Sequence, residues 1–366
     1  MDGQLHIVSV NQDPELSPAC RQGAAIQLSS MRKAFRHLGA HVTAVDEGDA
    51  RQTQAKLEKA HSNRPVNLIY ERYKHAKSSA AGFAASQGIP YALELNTPSA
   101  EVEGFRRVQI EKEKDKRQDR MIFGTASCIR AESSTAAKYA KAHGGRGDAI
   151  TVCPSGVDTS LFKMGAHGQR RSPHRPPKDR FVLGFHGRNK PGDGFEMLVD
   201  VTRTLLARSY PVHLFVIGTG SFRELAKLPP CSYTRMGWVE HEDMPAYIST
   251  FDAMPLTSVA RSSCIESPLK LFEGMACGAV PAVPAMGDLP VHVKHGVTGL
   301  VYPPGDSTAL IEQIVSLITN RDQHRKMSKQ AAVEARAFEW NGIAGMVLER
   351  MGLWPNDYRM GVAISR

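Results

Sequence analysis

Residues 266–283 read ESPLKLFEGMACGAVPAV. Ser267 is of the type that caps a helix start, Pro268 suits the first helical position, and Gly278 stands where a helix ends before a buried strand. The spacing predicts a helix over 268–277 and a strand over 279–283. The N-terminus of that helix would present unpaired backbone N–H groups and a partial positive charge at the end of a preceding strand, which suits a phosphate. Lys270 places a cation in the first turn, where the helix dipole mildly disfavours one, and that points to ligand use. Glu273 is a carboxylate among Phe272, Gly274, Ala276 and Cys277, residues that should pack. It needs hydrogen-bond donors, and sugar hydroxyls are such donors.

Working outward, the same alternation of strand and helix recurs. Downstream a helix is predicted over 307–319; upstream come strands over 181–185, 213–217 and 253–256 and a helix over 195–207. The first half repeats the scheme, with strands predicted over 5–10, 42–45, 66–70, 91–95 and 150–153, and helices over 24–38 and 78–87. Gly39 and Gly88 stop those two helices. Such alternation indicates α/β architecture with parallel, doubly wound sheets. Between the halves, 163–180 (KMGAHGQRRSPHRPPKDR) has linker composition, rich in Pro, Gly and Arg without an apolar period. The expected organisation is a domain over 1–165, a linker over 166–180, a second domain over 181–340, and a segment over 341–366 that crosses back to the first. Ligands of two such domains bind in the cleft facing the carboxyl ends of both sheets.

A chain of 366 residues with 42% hydrophobic and 23% charged residues fits two globular domains and disfavours disorder, collagen-like repeats and heptads. No apolar run approaches the roughly 18 to 20 residues of a membrane span, and residues 1–10 lack a secretory pattern, so the cytoplasm is the expected compartment. The cysteines at 20, 128, 153, 231, 264 and 277 show no metal-ligand spacing and read as free thiols. A net charge of +9 implies an anionic partner. The mixed charge run over 106–120 reads as a solvated helix face, with a membrane-surface or partner patch as the alternative. A nucleic-acid binder is disfavoured because no groove-reading motif or aromatic stacking platform is present. A dinucleotide-dependent oxidoreductase is disfavoured because no strand leads through G-x-G-x-x-G into a helix.

The stretch SPLKLFEGMACGAVPAV resembles the donor-site helix of GT-B fold glycosyltransferases, specifically family 4, the retaining, nucleotide-sugar-dependent glycosyl transferases group 1. Glu273 matches the second glutamate of that family's Glu–seven residues–Glu motif. VCPSGVDTSLF (152–162), FHGR (185–188), IGTGSFREL (217–225), MGWV (236–239) and GVTGLVYPPGD (296–306) are similar to further family segments in the same order, as are QGAAIQLSSMRKAFRHLGAHVTAV, NLIYERY and PYALELNTP in the first half. The resemblance implies two Rossmann-like domains and transfer of a sugar from a UDP- or GDP-linked donor with retention at the anomeric carbon.

By the same resemblance, Arg188 contacts the donor diphosphate, a task suited to a guanidinium fork that never deprotonates. The family's lysine five residues on is replaced by Asp193, which would repel a diphosphate, and Lys190 is the favoured substitute. Ile265 occupies the place of the first motif glutamate, with Glu266 adjacent as a shifted replacement. Glu273 would hold the ribose hydroxyls and the backbone around Val239 would meet the nucleobase. Gly187, Gly218, Ser267, Leu269 and Lys270 complete the donor side. Gly23, Glu94 and Asn96 fall where acceptors bind, with a structural hydrogen-bonding role for Glu94 equally open. His75 and His186 are polar candidates for the same cleft. The acceptor would be a small molecule or a lipid-linked glycan, the latter with peripheral contact at the inner membrane surface. With no D-x-D pair, neither metal nor cofactor is expected; the cations would serve instead. Within the same fold, epimerase or phosphorylase chemistry is the alternative.

Overall fold

The computed structural model describes residues 4–13, 16, 23–46, 48–96, 113–166, 176–189, 193–258 and 269–354. The chain divides into two compact units, one of Met1–Gly156 with Glu339–Arg366 and one of Val157–Phe338. Most of the expected linker, 167–175, lies outside the described residues.

The first unit runs β1 (His6–Asn11), α1 (Gly23–His37), β2 (His41–Asp46), α2 (Ala50–Asn63), β3 (Leu68–Arg72), α3 (Ala80–Gln87), β4 (Tyr91–Leu95), α4 (Glu113–Thr125), β5 (Cys128–Ala131), α5 (Ser134–Ala142) and β6 (Ile150–Val152). Its six strands are all parallel, in the order β2-β1-β3-β4-β5-β6. Both faces are covered, which is why β1, β3 and β4 are buried at every position instead of alternating. Val8, Val10, Ile69, Leu93 and Ile129 from the strands meet Phe83, Ile122 and Phe123 from the helices. Each such side chain contributes about 1.5–3 kcal/mol when fully buried. Helix α2 escaped the sequence reading although Asp49 and Gln52 form a reciprocal capping box at its start. The charge run emerges as α4, shifted toward the C-terminus; its residues 106–112 lie outside the described residues.

The second unit runs β7 (Phe181–His186), α6 (Phe195–Ala207), β8 (Val212–Ile217), β9 (Tyr233–Met236), α7 (Met244–Ile248), β10 (Ala253–Pro255), α8 (Leu269–Ala276), β11 (Val280–Pro284), α9 (Leu289–His292), β12 (Leu300–Tyr302), α10 (Ser307–Thr319) and α11 (Arg321–Ala335). Its strands, again parallel, follow the order β12-β11-β10-β7-β8-β9. Successive strand residues point to opposite faces. Leu183, Leu214 and Val216 therefore pack against Leu198, Leu205 and Leu310, while Val182 and Phe215 join Phe251, Phe272 and Met275 in a separate core. Helix α12 (Trp340–Arg350) belongs to the first unit and packs on α1.

Both strand orders reverse once, between β1 and β3 in the first sheet and between β7 and β10 in the second. In open α/β sheets ligands bind outside the carboxyl ends of the strands at this reversal. Each unit has a cavity there. That of the first is lined by Gln12, Ala76, Lys77, Ser78, Ser79 and Gln118, and that of the second by His186, Asp193, Pro255, Leu256, Thr257 and Lys270.

Candidate functional site

The second unit's site grows from the turn after β7. Gly187 donates its N–H to Ile217 O at 2.9 Å, and Asn189 donates to Thr219 O at 2.9 Å, so the loops after β7 and β8 run side by side. Gly218 adopts φ +141°, and a Cβ there would lie 1.8 Å from Gly187 O. Only glycine fits. The same holds for Gly194, with φ +68° and an imagined Cβ 1.7 Å from Thr257 O. This close backbone approach gives Gly218 a structural purpose beside its expected place on the donor side. The turn leaves Gly187 and Arg188 exposed at the strand end.

Asp193, standing where the resemblance leads one to expect a lysine, lines the cavity, and Thr257 donates its hydroxyl to Asp193 O at 3.3 Å. Lys270, in the first turn of α8, lines the same cavity with Nζ 5.3 Å from the Phe185 ring centroid, a cation–π approach. Leu269 opens α8 and is half-buried, as is Val239, which packs on the core. Lys190, Glu266 and Ser267 lie outside the described residues.

Glu273 is 5% exposed. Its Oε1 accepts a hydrogen bond from His241 Nε2 at 2.7 Å, and Oε2 lies 3.9 Å from His186 Nε2. Burial alone would raise the Glu273 pKa, but the hydrogen bond and charge of His241 bring it below the usual carboxylate range. Burial opposes the charged form of His241 as well, but its bond to Glu273, with the charges of Glu273, Asp158 and Glu242, raises its pKa. His186 goes the other way: burial, aided by the Lys270 charge, pushes it down to about 4, so it is neutral at pH 7. The site therefore combines an exposed guanidinium, a lysine at a helix start, and an ionised, clamped carboxylate.

His241 was missed by sequence reading. It stands in the acidic run EHED (240–243), which looks like a solvated loop. The available signal was indirect: a buried Glu273 demands a partner, and histidine can supply a charged donor.

In the first unit, Gly23 is the exposed first residue of α1. Glu94 is 0% exposed and both its oxygens are taken, Oε1 by Arg72 Nη1 at 2.6 Å and Oε2 by the Tyr70 hydroxyl. Asn96 Nδ2 donates to Gln27 Oε1 at 3.1 Å and to Glu132 Oε2 at 2.9 Å. Gln27 Nε2 also donates to Glu132 Oε1 at 2.8 Å, closing a buried network. Arg130 is 0% exposed and its guanidinium nitrogens have no hydrogen-bond partner among the described residues. Burial disfavours its charge, which the charges of Glu94 and Glu132 offset, and it lies 5.9 Å over the Trp340 ring. His75 pairs with Asp119 at 2.9 Å.

Comparisons with known proteins point the same way. Residues 180–320 match the family model Glycosyl transferases group 1. A D-inositol 3-phosphate glycosyltransferase of Pseudarthrobacter chlorophenolicus is 25% identical over 288 residues, covering 74% of this chain and 67% of the relative. Sucrose-phosphate synthase from Thermosynechococcus elongatus superposes with a TM-score of 0.73 at 18% identity, over 94% of this chain and 98% of that one. Anabaena HepE, solved in complex with UDP-glucose, gives a TM-score of 0.69 at 19% identity, over 95% and 100%. Two units with parallel doubly wound sheets, the second carrying the matched segment, define a GT-B architecture. The second unit thus carries a group 1 glycosyltransferase segment, and the chain is a transferase.

Proposed function

We propose that the protein moves a sugar from a UDP- or GDP-linked donor to an acceptor with retention at the anomeric carbon, as a family 4 enzyme without a metal or other cofactor. The observation that carries this reading is that Lys270 and the clamped Glu273 both lie by His186 at the carboxyl end of β7, two residues before Arg188, in the matched segment. Negative charge gathers on the departing diphosphate in the transition state. Fixed donors aimed at that charge lower the barrier because they need no reorganisation. Arg188 can bind two phosphate oxygens at once, Lys270 and Lys190 add charge, and the backbone N–H groups of Leu269 and Ser267 complete the set. Glu273 takes the ribose hydroxyls, Val239 borders the base through its backbone, and recognition of the sugar is assigned to Glu266.

The UDP-glucose held by the fold neighbour supports a nucleotide-sugar donor. The acceptor side is assigned to Gly23 at the start of α1 and to Glu94 and Asn96 at the end of β4. The acceptor is a small molecule or a lipid-linked glycan, and the +9 charge favours the latter, held by a cytoplasmic enzyme resting on an anionic inner membrane surface. Among the described residues no helix is long and apolar enough to cross a membrane. A thermal-shift panel of nucleoside diphosphates and their sugars tests the donor reading, since a ligand bound only by the folded state raises the midpoint with concentration. Saturable stabilisation by a UDP or GDP series is expected; none by any member refutes it. Product analysis then separates transfer from epimerisation or phosphorolysis.

A further inference from the structure

We propose that His241 is a positioning residue for nucleotide recognition, holding the Glu273 carboxylate so that its free oxygen meets the ribose hydroxyls. The inference rests on the donor-site reading above and adds a residue to it. Glu273 sits in α8 between Phe272 and Gly274, and burial would neutralise an unpaired carboxylate there. Two imidazoles approach it. His186, at 3.9 Å, is too far for a hydrogen bond and is 5% exposed. His241, at 2.7 Å, donates directly to Oε1. Oε2 receives no hydrogen bond from the described residues, so one oxygen is fixed and the other is left to a ligand.

The placement of His241 explains why it is suited to this. It lies two residues beyond Val239 on the loop between β9 and α7, and its ring rests against Phe162 at 5.0 Å between centroids. Asp158 and Glu242 face it and add negative charge that favours its protonated form; Glu273 in turn faces His186 and Cys277, and His186 faces Lys270. The ion pair thus ties the loop assigned to the base to the helix assigned to the ribose. Their partnership spans 32 residues of chain.

The test compares UDP with 2′,3′-dideoxy-UDP by titration calorimetry, using GDP and its dideoxy analogue if the guanine nucleotide is the one bound. A hydrogen bond to a charged group contributes about 1.5–3 kcal/mol, so the wild type should prefer the ribonucleotide by about 10- to 100-fold. His241→Ala should shrink that preference to about threefold or less while inorganic pyrophosphate binds as before. His241→Gln, which keeps an N–H donor, should restore most of it. A His241→Ala protein with the wild-type preference overturns the proposal. Should that variant fail to fold, His241→Asn, which removes the reach to Glu273, replaces it, and an undiminished preference there overturns the proposal equally. A wild type that binds the ribo and dideoxy forms alike sinks instead the assignment of Glu273 to the ribose.

Discussion

At the carboxyl edge of the first sheet, Glu94 is fully buried and both oxygens are bound by Tyr70 and Arg72. At the corresponding edge of the second, Glu273 is almost as deeply buried, but among the described residues only Oε1 is held. Burial would raise both carboxyls, and in both cases a neighbouring cation wins: Arg72 and Arg130 for the first, His241 for the second. The difference is in what is left over. A carboxylate whose acceptors are all taken stabilises its domain, whereas one with a spare acceptor beside a cavity is prepared for a ligand. The histidine and the arginine differ in another respect, because only the histidine can lose its charge near neutral pH.

Breaking the first edge should have the largest effect. Arg72→Ala leaves Glu94 short of a partner in the core, and removing one member of a buried pair costs about 3–5 kcal/mol. Thermal unfolding should show a fall of many degrees in the apo protein; a wild-type midpoint would mean that Arg130 and Tyr70 suffice. Breaking the second edge should act on catalysis instead. Arg188 is exposed, so Arg188→Ala should leave the midpoint unchanged and lower kcat/KM by about 2–4 kcal/mol of transition-state binding. Unaltered kcat/KM would remove Arg188 from the donor site.

Stability against pH sharpens the contrast, because the two units carry buried groups of opposite sign. His186 falls from 6.5 to about 4 on folding. Below pH 6.5 the unfolded chain takes up a proton that the folded chain refuses, so the second unit loses stability as pH drops toward 4. Glu71, buried between Ser78 and Tyr91, rises from 4.5 to about 7. Above pH 4.5 the unfolded chain releases a proton that the folded one keeps, so the first unit loses stability as pH climbs toward 7. Each slope is about 1.4 kcal/mol per pH unit at most. His186→Leu should flatten the acid limb of the midpoint–pH curve and Glu71→Gln the limb between 4.5 and 7; unchanged limbs would contradict the burial argument. The smallest expected effect is that of EDTA. If cations of the chain neutralise the diphosphate, turnover should persist in chelator, and a complete loss reversed by Mg²⁺ would show that a metal does that work.

How much of this was legible depends on the range of the interaction. Glycine stops, Pro and Ser at helix starts, and apolar runs gave the helices Phe195–Ala207 and Ser307–Thr319 and the strand Tyr91–Leu95 at their observed bounds. The helix α2 went unread because its apolar stripe is thin, with only Thr53, Leu57 and Ala60 buried. The strand β9 went unread because Tyr233–Met236 is nowhere fully buried and carries no apolar run to mark it. Lys270 and Glu273 were found because each violates a local rule, a cation at a helix start and an acid in an apolar stretch. His241 violates none.

The sequence by itself therefore determined the alternation of strands and helices, two doubly wound domains and the helix that carries Glu273, since each rests on contacts between residues a few positions apart. Only the tertiary structure decided which carboxylate is sealed and which is left with an acceptor to offer. That choice depends on donors brought in from elsewhere in the chain, Tyr70 and Arg72 to Glu94 across neighbouring strands and His241 to Glu273 from a loop onto a helix. A hydrogen bond acts over about 3 Å of space irrespective of separation along the backbone, so no periodicity records it.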